Sequence, residues 1–163
     1  MEFLRVKKWI WITMLVFAVM IVFGIIVYIN ALEPLNQAES KAIEIAKQKI
    51  SMKEVTDFTL YNGSDSYYIV KGVNSNGNNI IVWIPEEDNN KVIVREEKDG
   101  ISKEEAIQKL NKEKNPQEIL TVKLGMENNI PLWEIFYRSN ENLINYYYVD
   151  FESGEWLKDI QNL

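Results

Sequence analysis

The run WIWITMLVFAVMIVFGIIVYI, residues 9–29, contains no charged side chain. As an α-helix rising about 1.5 Å per residue it reaches about 30 Å, the hydrocarbon thickness of a bilayer. A helix apolar on every side must be covered by protein or by lipid, and a chain of 163 residues has little protein to spare. The segment therefore reads as a single membrane span whose first partner is the lipid bilayer. Arg5, Lys7 and Lys8 precede it, and the first charge after it is Glu33. The positive-inside rule then puts residues 1–8 in the cytoplasm and everything after Asn30 outside the cell membrane. Trp9, Trp11 and Tyr28 fall near the two interfaces, where amphipathic rings are favoured. A cleaved signal peptide is the competing reading. Its apolar region is about 7–15 residues long and ends in a small-x-small site. This run is longer and Ile29-Asn30-Ala31 is a poor site, so the segment reads as an uncleaved anchor.

Charge narrows what the outer part can bind. Of 24 acidic and 18 basic residues, Glu2, Arg5, Lys7 and Lys8 precede the span, leaving 23 and 15 beyond it, a net charge of −8. Such a surface repels nucleic acid and anionic lipid. There is no cysteine and no histidine. Disulfides, thiolate or imidazole metal ligands, and Ser-His or Cys-His nucleophiles are thus unavailable within the chain.

Beyond the span, Pro34 disfavours an unbroken helix, so residues 30–35 read as a short juxtamembrane linker. Helical spacing resumes from about Asn36 to Ile50, with Ala42, Ile43, Ala46 and Ile50 on one stripe. Four strand candidates follow: Glu54–Leu60, Tyr67–Val73, Asn79–Ile84 and Lys91–Arg95. Turn residues Asn62-Gly63, Asn76-Gly77 and Asp88-Asn89-Asn90 separate them. Asn-Gly supports the positive φ angles of tight hairpins, so residues 66–85 read as a β-hairpin ending at Pro85. Ser102 with Glu105 predicts a capping box opening a second helix to about Lys112, with Ile101 and Ala106 placed as a weak hydrophobic staple. Strand patterns recur at Glu118–Leu124, Leu132–Arg138, Leu143–Phe151 and Glu155–Ile160.

The order helix then four strands occurs twice. A shift of about 65 residues lays Tyr68-x-Val70 on Trp133-x-Ile135, and Val82-Trp83-Ile84 on Tyr147-Tyr148-Val149. Ala42-Ile43 falls on Ala106-Ile107 at a shift of 64. The fold class expected is α+β: an N-terminal transmembrane helix and two tandem units, 36–98 and 99–163, each a helix on an antiparallel sheet. A unit of about 60 residues has a marginal core by itself, so the two should dock into one outer body.

The aromatic residues fall on predicted strands, where alternation sends at least one row into the core. Tyr146, Tyr147 and Tyr148 put rings on both faces of their strand, and an uncovered aromatic face usually binds something. Together with Trp83 and Trp156 they are the candidate interface. Glu134 and Asp150, on neighbouring strands, are the pair best placed for acid–base hydrolysis of wall polysaccharide. With 23 acids outside, however, a nearby pair arises by chance. Asp150, Ser153 and Gly154 are explained by a turn. No calcium loop and no phosphate-binding glycine loop occurs. The reading is of a non-catalytic chain with no cofactor and no metal.

The anchor, YYIVKGVNSNGNNIIVWIP at residues 67–85, GIS at 100–102, LWEIFY at 132–137 and YYYVDFESGEWLKDI at 146–160 resemble the TseB-like (YpmB-like) proteins of Gram-positive bacteria. The last segment is also similar to PepSY-type modules, whose ending Asp-x-x-x-Gly-Glu matches Asp150 to Glu155. The resemblance covers essentially the whole chain. It implies two PepSY-like units outside the membrane. It also implies a non-catalytic role in regulating cell wall elongation through contact with a class B penicillin-binding protein. It supplies no catalytic residue to carry over. An extracellular peptidase inhibitor, the role often proposed for PepSY modules, is the alternative.

Overall fold

In the computed structural model, which describes residues 2–88 and 90–161, the first helix runs without a break from Glu2 to Ile50 (α1), straight through Pro34. The linker expected at 30–35 is helical, and so is the backbone of the expected tail from Glu2. Proline removes one hydrogen bond, to Asn30 O, and crowds that carbonyl, at about 3 kcal/mol. Every residue beyond it restores one bond at the low cost of propagation, so a long helix carries the defect. Ser51, at φ 55°, ends the helix in the left-handed region. The side chains of Arg5, Lys7 and Lys8, and Asn89 of the predicted turn, lie outside the described residues.

The chain forms two compact bodies, residues 1–40 and 41–163. In the first, α1 is long and apolar enough to cross a membrane, and none of its most apolar stretch is buried by protein. Phe17, Ile21, Phe23 and Ile26 all lie open.

The second body begins with the last ten residues of α1. It continues with β1 (Met52–Asn62), β2 (Ser66–Asn74), β3 (Asn79–Pro85) and β4 (Ile93–Glu96), then a 3-10 turn, Glu97–Asp99. Next come α2 (Lys103–Lys114), β5 (Glu118–Glu127), β6 (Ile130–Arg138), β7 (Ile144–Asp150) and β8 (Trp156–Ile160). These make two antiparallel meanders, β1-β2-β3-β4 and β5-β6-β7-β8.

The internal repeat extends to strand register. Tyr68 pairs with Ile84 and Val70 with Val82; 65 residues on, Trp133 pairs with Val149 and Ile135 with Tyr147. Likewise Val82↔Val94 becomes Tyr147↔Asp159. A bulge between Val55 and Asp57 recurs between Ile119 and Thr121, 64 residues on. Ala42 and Ala46 of α1 correspond to Ala106 and Leu110 of α2, all four fully buried. The offset grows from 64 to 65 because Tyr61↔Tyr67 encloses one residue fewer than Gly125↔Leu132. The extra residue sits in a hairpin closed by Asn128 and Asn129, both at positive φ. In the β2–β3 turn only Gly77 has positive φ. Asn74 holds that turn, its side chain accepting from the N–H groups of Asn76 and Asn78.

The predicted capping box is present at α2. Glu105 N–H donates to Ser102 Oγ at 3.1 Å, and Ser102 N–H donates to the Glu105 carboxylate at 2.7 Å. Ser102→Ala is expected to cost about 1 kcal/mol, read as a lower urea midpoint with an unchanged slope.

Both sheets contribute to one core, which includes Tyr61, Ile69, Ile81 and Trp83 from the first and Leu124, Met126, Ile135 and Tyr147 from the second. Trp83 makes two of the contacts that join the units. The Trp83 indole N–H donates to Gly125 O at 2.9 Å, and that ring meets Phe151 edge-on at 5.6 Å. Within the second unit, the Trp133 indole donates to Ile101 O at 2.9 Å. Each indole thus buries its apolar ring and still satisfies its one polar atom.

Candidate interaction surface

The five candidate interface residues do not form one surface. Trp83 is fully buried and bonded across the units, and Tyr147 is fully buried between its sheet and α2. Both belong to the core. Burial raises the Tyr147 hydroxyl above the ordinary tyrosine range, and Glu113 of α2 adds to the shift. Trp156 is 52% exposed, but it pairs with Val149 across a register shift, on the α2 side of the sheet edge. Tyr146 and Tyr148 point to the opposite face.

That opposite face carries a row of rings. Tyr146 lies 4.7 Å from Phe136 and 6.2 Å from Tyr148, and the Lys158 ammonium stands 4.5 Å above the Tyr148 ring. Tyr148 itself is nearly covered. Phe136, Ile144 and Tyr146 are half-buried, and Ile160, the cross-strand partner of Tyr146, is exposed. Tyr146 is therefore the one predicted residue that keeps open contact area on this face, with Phe136, Ile144 and Ile160 as neighbours that went unpredicted. Period-two alternation and the pairing Phe136↔Tyr146 are the signals that identify them.

At its other end the face is polar and closed. Glu134 is only 5% exposed, and its carboxylate meets Lys123 Nζ at 3.1 Å. Lys123 in turn lies 5.3 Å over the Tyr61 ring, which crosses from the first unit. Burial first, and then the Glu134 charge, push the Tyr61 and Tyr148 hydroxyls well above the ordinary tyrosine range. Glu127 pairs with Lys158 beside them. Asp150 accepts from Ser153 N–H at 2.6 Å and from its hydroxyl at 3.0 Å, closing the turn into β8. The two carboxylates considered for hydrolysis are therefore engaged, one in an ion pair and one in a turn.

On the α2 side, Lys114 in the last helical turn donates to Asp159 of β8 at 2.9 Å. This bond holds the Asp159 carboxyl below its usual range and raises the Lys114 ammonium. The depressed acid stabilises the fold above the unfolded carboxylate value of about 3.9, and this is lost as pH falls through the folded value. The raised base stabilises below about 10.4, and this is lost as pH rises through its folded value. Urea midpoints measured against pH should fall at both extremes, and Asp159→Asn should flatten both arms.

A long apolar helix, a candidate membrane span, followed by two helix-plus-meander units that share a core defines a class of tandem α+β proteins with an apolar N-terminal helix. Residues 41–85 match the cell wall elongation regulator TseB-like domain, and residues 100–160 the peptidase propeptide and YPEB domain. Over 150 residues the chain is 30% identical to the probable cell wall elongation regulator TseB of Bacillus subtilis (strain 168), spanning 86% of this chain and 93% of that one. The solved YpmB protein from Bacillus subtilis superposes with a TM-score of 0.70 at 33% identity, covering 76% of this chain and 95% of that one. The chain belongs to the TseB-like family.

Proposed function

We infer that this chain is a non-catalytic, membrane-anchored regulator of cell wall elongation. It acts by binding a class B penicillin-binding protein, the elongation transpeptidase. The observation that carries this reading is the match across 93% of a relative named as a probable cell wall elongation regulator. The N-terminus lies in the cytoplasm and the body from Lys41 onward faces the wall. The open apolar stretch of α1 supports the anchoring, and Arg5, Lys7 and Lys8 support the orientation. Two proteins held in one bilayer meet at high effective concentration, so a modest contact area suffices. That contact is the face around Tyr146, where Phe136, Ile144 and Ile160 add apolar surface.

Photo-crosslinking in cells tests this, with a benzophenone amino acid in place of Tyr146 and, as control, in place of the exposed Lys53 of β1. The expected adduct joins position 146 to a class B penicillin-binding protein and is at least tenfold weaker from position 53. A chain that crosslinks to no wall synthase from either position and inhibits a secreted protease at equal stoichiometry is a PepSY-type inhibitor instead.

A further inference from the structure

Alternation along β2 places Lys71 on the same side as Tyr67 and Ile69, the row that the first sheet turns toward the second unit. A lysine in such a row calls for a partner. Its ammonium stands 5.5 Å from the centroid of the Trp133 ring. Among the described residues it makes no ion pair, although Asp57 is its direct cross-strand neighbour. Lys71 opens into a cleft of about 430 Å³ between the two units. That volume is in the range of small-ligand sites, about 300–1,000 Å³. Ile101, Val122, Leu124, Trp133 and Phe151 provide its apolar lining, and Thr59 a hydroxyl.

The lining sets the ligand class. Of the four lysines in the lining, Lys98 and Lys123 are ion-paired to Glu96 and Glu134. Of the other two, Lys71 and Lys103, it is Lys71 whose ammonium stands against the apolar wall at Trp133. This matches a molecule with an apolar body and a negative end beside it. Asp57, Glu97, Glu104 and Glu105 balance the four lysines around the same cleft, so it has no net positive charge to hold a multiply charged phosphate. The apolar lining lies next to the ammonium, so the apolar group must sit within a bond or two of the carboxylate. A chain-terminal carboxylate on an apolar residue meets this requirement; an aspartate or glutamate side chain within a peptide does not. We propose that this cleft binds the C-terminal apolar residue of a peptide, with Lys71 pairing its carboxylate and Ile101, Val122 and Trp133 receiving its side chain. The site is on a different face from Tyr146 and does not rest on the function proposed above.

The Trp133 indole N–H, fixed on Ile101 O, is a built-in reporter. The full-length chain in detergent micelles, labelled with ¹⁵N-tryptophan, gives five indole signals, and Trp133→Phe assigns the relevant one. Titration with N-acetyl-leucine should shift that signal saturably at millimolar concentration. N-acetyl-leucinamide, without the charge, and N-acetyl-aspartic acid α-amide, with its charge on the side chain, should not shift it. Lys71→Met should weaken N-acetyl-leucine at least about tenfold, the loss expected for a charged hydrogen bond, and Lys71→Arg should retain it. Equal shifts from the uncharged amide, an unchanged affinity in Lys71→Met, or no shift from N-acetyl-leucine each overturn the proposal.

Discussion

Replacing Trp83 with alanine is expected to cost the body of residues 41–163 about 4–8 kcal/mol of stability. The indole is fully buried and bonded to Gly125 O in the other unit. Truncating a buried aromatic ring costs about 3–5 kcal/mol through lost transfer energy and the cavity left behind. Here a carbonyl also loses its donor in a water-poor site, which adds about 1–3 kcal/mol. A domain of this size has about 5–15 kcal/mol in total, so the sum removes a large part of it, and all of it at the lower end of that range. Because the ring spans both units, neither sheet keeps its half of the core, and the loss should be cooperative. Trp156→Ala, at an exposed edge, should change stability by less than about 0.5 kcal/mol. Urea unfolding followed by far-ultraviolet circular dichroism separates the two. Equal midpoints would show that the two units do not depend on the Trp83 contact.

The same residue marks where sequence reasoning reached its limit. Elements set by local rules were legible: the capping box at Ser102 and Glu105, and the eight strands to within a few residues. The repeat was legible as well, because matching positions recur at one offset. Which rings are free was not. Trp83 and Tyr148 occupy equivalent positions 65 residues apart, on equivalent faces of their sheets. The first face is covered by the second unit. Among the described residues the second face is covered by no further unit, and it receives the Tyr61 ring, Lys158 and their ion-paired neighbours. Tandem units packed head to tail bury one copy of a face and leave the other open, and no local pattern records which. Pro34 misled for the opposite reason. Its local cost is real, but a long helix on both sides absorbs it. The Glu134 site follows the same logic, since its partner Tyr61 lies in the other unit.

A pair of aspartates at Val19 and Val22 should abolish membrane insertion, whereas a single one should not. Residues 9–29 include thirteen Leu, Ile, Val and Phe residues. On the insertion scale each contributes about −0.3 to −0.6 kcal/mol, and an aspartate near the centre opposes insertion by about 2.5–3.5 kcal/mol. The apolar residues together favour insertion by about 4–8 kcal/mol on that scale. One aspartate leaves the balance favourable for most of that interval. Two oppose it by about 5–7 kcal/mol, and the eleven apolar residues then left supply about 3–7 kcal/mol, so insertion loses most or all of its driving force. Protein does not compensate, since none of this stretch is buried by the rest of the chain. Carbonate-washed membranes should therefore retain the parent chain and Val19→Asp, while the double variant appears in the soluble fraction. Protease added to intact protoplasts should digest the body of the first two and spare that of the third. A double variant still held in the membrane would show that something other than the apolar run of α1 anchors the chain.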